Sequence, residues 1–143
     1  MSLFLVKWEL KTVSQIPIID KIVNFDDEII SIVIEESISS MKGYLSRFYD
    51  VETIFSQTGN NRHKTILKHL KNIVIYEVYE RHTREQNSVA MRRYEEAMTW
   101  LEKLNTGEFA DGTLPKIPEN TDDITGTTGS TRFGGNTRYS SKY

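Results

Sequence analysis

The sequence predicts an all-α protein. It is a small helical bundle of three substantial helices and one short N-terminal helix, with extended N- and C-terminal arms. Two observations carry this. Apolar residues recur at spacings of three and four along 25–49, 62–82 and 89–105, the period of helices with one face on a core. Between these segments lie polar, turn-forming stretches, Gln57-Thr58-Gly59-Asn60-Asn61 and Thr83 to Ser88. The 143 residues suit one domain, and no repeat of solenoid period is visible.

Residues 1–8 are expected to be an N-terminal arm or short strand. Leu3-Phe4-Leu5-Val6 is apolar, but Lys7 and Glu9 end the run. It falls far short of the ~20 apolar residues of a membrane span and lacks the charged start of a signal peptide. A helical domain is expected over 9–107. It begins with an interrupted helix over 9–23, where Ile16, Ile19, Ile22 and Val23 share a face. Pro17 suits the first turn and Ser14 is placed to cap it.

The clearest helix is 25–49. Asn24 is the expected N-cap, and Asp26, Asp27 and Glu28 lie where the helix dipole favours anions. Ile30, Ile34, Ile38, Met41, Leu45 and Phe48 form its apolar stripe. Residues 50–61 are expected to be a loop, with Asn60 or Asn61 capping a helix over 62–82. The core face there is Ile66, Leu67, Leu70, Ile73, Val74 and Val78. The last helix presents Met91, Tyr94, Met98, Leu101 and Leu104, or Ala97, Trp100 and Leu104, and Gly107 is a natural stop. Residues 108–118 form an extended, proline-containing linker, and 119–143 a polar C-terminal arm.

Composition narrows the chemistry. The formal net charge is −2 and there are no cysteines. That removes disulfides, thiol catalysis and Cys-based zinc sites, and it fits a reducing compartment. His63 and His69 are six residues apart, which rotates the second by about 240° around a helix. They and His82 are expected to be surface histidines, so no metal site is expected. Glu35 and Glu36 are neighbours pointing about 100° apart, a solvated flank and no acid–base dyad. Arg92 with Glu96, and Glu77 with Arg81, are ordinary helical pairs worth about 0.2–0.5 kcal/mol each. No nucleophile elbow or phosphate-cradling glycine loop is present. Neither an enzyme nor a cofactor is expected.

The arm has a pattern of its own. Fifteen of the residues 119–143 are Gly, Ser, Thr or Asn, and Ile124 is the one aliphatic residue. Such a segment buries too little apolar surface to order itself. Thr131-Arg132-Phe133 recurs as Thr137-Arg138-Tyr139, with Lys142-Tyr143 as a looser echo. In an extended strand Phe133, Tyr139 and Tyr143 share one face, and Arg132, Arg138 and Lys142 share the other. These are the expected partner-binding residues of an arm laid on another surface. Fully extended, it spans ~80–90 Å, against ~30 Å for the domain. Phe4, Leu5 and Trp8 are candidates for apolar contact between subunits. The competing class is a nucleic-acid-binding accessory protein, using Arg62, Lys64, Lys68, Lys71 and Arg81 on helix 62–82 together with the Arg/aromatic arm. A third option is a solvated arm with no role.

Two segments resemble a known family. Met41-Lys42-Gly43-Tyr44-Leu45-Ser46-Arg47-Phe48 resembles the Ala-x-x-Gly-Tyr-Leu-x-x-Arg signature of the Mu-like phage and prophage family of small virion proteins. Arg93 to Leu104 followed by Gly107 is similar to that family's second signature. The resemblance covers about residues 9–118, so the arms fall outside it. It implies a structural virion protein akin to head–tail connector, adaptor or head-completion subunits. Such proteins form homo-oligomeric rings, usually twelve-fold, in the neck between the portal and the tail, and are assembled in the host cytoplasm. The implied partners are further copies of the chain, the portal protein and other neck or tail proteins. DNA would pass the lumen without specific binding, and no membrane is involved.

Overall fold

The computed structural model describes residues 4–83 and 87–118. These form an all-α bundle. A 3₁₀ turn, Lys7–Thr12, precedes α1 (Ile16–Ile22), α2 (Asp27–Leu45) and a short α3 (Val51–Ser56). A second 3₁₀ turn, Gly59–Asn61, leads into α4 (Lys64–His82), and α5 (Ser88–Thr106) completes the bundle. The expected arm 119–143 lies outside the described residues, and with it Arg132, Phe133, Arg138, Tyr139, Lys142 and Tyr143.

The long helices α2, α4 and α5 pack on one another, α1 lies on α4, and α3 lies on α2. The α2 stripe is buried as the period predicts, through Ile30, Ile34, Ile38, Met41 and Leu45. Phe48 departs from it. It lies beyond the helix end and is half-exposed. On α4, Ile66, Leu67, Leu70, Ile73, Val74 and Val78 are all buried, together with Ile75. On α5 the core residues are Ala90, Ala97, Leu101 and Leu104, while Met91 points outward. Each fully buried Leu, Ile or Met contributes about 1.5–3 kcal/mol.

The caps correct the expected helix boundaries. Ser14 does not cap α1; Gln15 holds that position without a side-chain bond. Asp26, rather than Asn24, caps α2 by accepting from the Glu28 N–H. Asn24 and Phe25 are both left-handed, at φ 54° and 60°. Their turn closes α1, with the Phe25 N–H donating to the Asp20 carbonyl at 2.7 Å. The expected loop 50–61 contains α3, because the Asp50 carboxylate accepts from the Thr53 N–H and Ile54 and Phe55 turn into the core. His63, rather than Asn60 or Asn61, caps α4. Gly107 ends α5 in the left-handed conformation, as expected.

The N-terminal stretch is corrected too. Lys7 and Trp8 begin the 3₁₀ turn rather than ending an arm. Phe4 and Leu5 are each only 1% exposed, and Phe4 packs edge-on against Phe55 with ring centroids 5.0 Å apart. They belong to the chain's own core and are not available to a neighbour.

After α5 the chain packs back on the bundle. Leu114 is buried, and Tyr49 forms an isolated antiparallel bridge with Lys116. The Asp50 N–H donates to the Pro115 carbonyl at 2.9 Å, and the Ile117 N–H donates to the Phe48 carbonyl at 3.3 Å. The Tyr49 hydroxyl accepts from the Asp111 N–H at 3.1 Å. The described chain therefore ends on a stretch anchored beside the C-terminal end of α2.

Candidate functional site

The basic residues of the 62–82 segment divide into two groups. Arg62 and Arg81 are neutralised. Arg62 makes a bidentate pair with Glu9, at 2.6 and 2.9 Å, and donates to the Phe4 carbonyl at 2.6 Å. This pair is mostly buried, and it holds the Glu9 carboxyl below its usual range, chiefly through the Arg62 hydrogen bond. Arg81 pairs with Glu36 at 2.6 Å and with Glu77 at 3.2 Å.

Lys64, Lys68 and Lys71 form the second group. Their spacing of four and three places them along one face of α4. The packing of α5 against α4 brings Arg92 and Arg93 to the same side. Together with Thr12, Val13, Leu67 and Asn72 they line a groove of about 540 Å³. Five cations stand there against one carboxylate, Glu96. Among the described residues, the ion pairs fall on Lys7, Lys42, Arg62 and Arg81, and none on these five. Lys71 donates to Thr12 Oγ1 at 3.2 Å. Burial lowers its amine pKa; Glu9 opposes that, and the Arg62 and Lys64 charges add to it. The lysine stripe was visible in the sequence. The contribution of Arg92 and Arg93 was not, since it depends on how α5 packs.

Two aromatic side chains stand out near the α1–α2 corner. Trp8 is 60% exposed and Phe25 is 75% exposed. Lys7 bonds both Asp20 and Asp27, which ties the 3₁₀ turn to this corner, and Lys11 lies over the Trp8 ring at 5.0 Å. Of the three N-terminal candidates, only Trp8 is surface. Phe25 was missed by sequence reasoning, because an exposed Phe in a left-handed turn has no periodic signal.

His69 departs from the expected surface position. His69 is buried and stacked on Trp100 with ring centroids 4.5 Å apart. Burial, with the Lys68 charge adding to it, pushes its pKa down to about 4. His63 accepts from the Ile66 N–H through Nδ1, and its Nε2 lies 2.6 Å from Thr113 Oγ1. Among the described residues, no group of three or more His, Cys, Asp or Glu is placed to hold a metal ion. No helix among them is long and apolar enough to cross a membrane.

What this bundle offers is contact surface: a cationic groove and projecting aromatics on an all-α frame. Residues 9–125 match the bacteriophage Mu Gp36 family, and the chain belongs to it. It is a Mu-like phage protein. No curated protein and no solved structure matches the chain.

Proposed function

We propose that this chain is a structural, non-enzymatic subunit of the virion neck, a head–tail connector or adaptor that assembles as a ring at the portal vertex. The observation that carries this proposal is the anchoring of 115–117 immediately before a polar 119–143 sequence. Residues 115–117 are stitched to Phe48–Asp50 just past α2, so the self-contained bundle ends at an anchored point, and the 119–143 sequence that follows is too polar to build a core of its own. Arg132, Phe133, Arg138, Tyr139, Lys142 and Tyr143 are the arm's contacts with the portal or adjacent subunits, and Trp8 is a contact on the body. The family membership supports the phage setting.

The test is deletion of 119–143. The truncated protein is expected to remain helical and to lose capture by the portal protein and by particles. Normal incorporation of the truncated protein overturns the arm's role. Electron microscopy of the full chain with its portal reads ring symmetry and axial position directly.

One observation favours a second function. The groove of Lys64, Lys68, Lys71, Arg92 and Arg93 suits a polyanion, which is the chemistry of a nucleic-acid-binding accessory protein. Retention on DNA that collapses between low and moderate salt would favour it over the ring.

A further inference from the structure

We infer that the cationic groove between α4 and α5 receives the acidic root of a neighbouring copy's arm, Glu119, Asp122 and Asp123. This inference rests on the assembly proposed above. The groove carries five cations and one carboxylate, on a chain whose net charge is −2. A surplus of that kind, left without internal ion pairs, calls for an anionic partner.

The chain supplies one. Three of the first five residues after Pro118 are acidic, Glu119, Asp122 and Asp123. The family match runs through them to residue 125. Their spacing fits the groove. Lys64 and Lys71 are separated by about 10 Å along the α4 axis. Glu119 and Asp122 are separated by about 10 Å in an extended strand. The groove, of about 540 Å³, has room for a short peptide segment.

The donor is assigned to a neighbouring copy because none of the anchored residues 114–117 lines the groove, and the doubly substituted chain below tests the chain's own arm against it. Residues 115–117 are paired with Phe48–Asp50, beside the end of α2. The groove is lined by the first 3₁₀ turn, α4 and α5, with no residue of α2. An arm leaving one copy on the α2 side and entering the α4–α5 groove of the next is a heterologous contact, the kind that propagates and closes into a ring.

The lack of cysteine makes the test direct. Full-length Lys68→Cys and Asp122→Cys chains are mixed under mild oxidation, alone and with the portal protein, and the heterodimer is read on a non-reducing gel. The expected yield is at least tenfold above that of a Glu28→Cys and Asp122→Cys control, and it should fall with salt and with Arg92→Glu/Arg93→Glu. Equal yields for the two pairs overturn the inference. So does a purely intramolecular link in the doubly substituted chain, which assigns the groove to its own arm. DNA retention that Arg92→Glu/Arg93→Glu abolishes and deletion of 119–143 leaves intact also overturns it, in favour of nucleic acid. Sedimentation separates the two levels of failure. Oligomers without the groove cross-link sink the groove assignment alone, and monomers that the portal does not capture sink the assembly as well.

Discussion

The indole of Trp100 stacks on the imidazole of His69, with ring centroids 4.5 Å apart and planes 25° apart. This contact joins α5 to α4 next to the cationic groove. It also fixes a protonation state, because His69 Nδ1 is buried without a hydrogen-bond partner among the described residues and the ring pKa is pushed down to about 4.

A pH dependence follows from that. Between about pH 6.5 and about pH 4 the unfolded chain takes up a proton on His69 that the folded chain refuses. Stability from this group is complete above that window and is lost as pH falls through it, reaching a loss of about 2–3 kcal/mol near pH 4. Urea midpoints at pH 7 and pH 4.5 measure it. His69→Phe keeps an aromatic ring against Trp100 and is expected to flatten this part of the profile.

Glu9 and Arg62 form a mostly buried bidentate pair. Removing one partner strands the other, so Glu9→Ala or Arg62→Ala is expected to cost roughly 2–4 kcal/mol, with the double variant costing less than the sum. Since the Glu9 carboxyl is held below its usual range, its contribution is present above the unfolded carboxylate pKa and fades as pH falls through the folded value. Arg62 also binds the Phe4 carbonyl. Its loss is therefore expected to expose the first residues to protease before the rest of the chain.

Phe25 occupies a left-handed conformation at φ 60° while its ring is 75% exposed. A side chain of this type is strained there and gains little from burial in the monomer. Phe25→Gly is expected to raise stability by up to about 1 kcal/mol. If the ring meets a neighbour, the same variant assembles less well. Thermal unfolding and sedimentation, run side by side, read the two effects.

Gly107 closes α5 at φ 78°, where an added Cβ would sit 3.5 Å from the Phe48 ring. That distance is ordinary contact, so the strain lies in the backbone alone. Gly107→Ala is expected to cost about 1–2 kcal/mol and Gly107→Asn less, measured by denaturant unfolding.

Much of the bundle was legible because burial on a long helix repeats. Ile30, Ile34, Ile38, Met41 and Leu45 announce α2, and Gly107 announces the end of α5. What was missed lacks a period. The six residues of α3 turn only Ile54 and Phe55 inward, too few for a stripe. His69 shares the inward face with Ile66 and Ile73, three before and four after it, but a single polar residue on an apolar face does not announce its burial. Asn24 has the composition of a cap, but the left-handed turn it forms with Phe25 moves that role to Asp26. Phe4 and Leu5 stand outside any helix, so no pattern told core from interface. Half of the groove was readable as a lysine stripe on α4. The other half needed the antiparallel docking of α5, which is a tertiary fact.

The stitching of 115–117 to Phe48–Asp50 has a mechanical consequence. Tension on the arm reaches the Ile117 to Phe48 hydrogen bond first, then the Asp50 to Pro115 bond, and only then the buried Leu114. The tether yields in steps, like a zipper with a plug behind it, and the helices are shielded from the load until the plug is drawn.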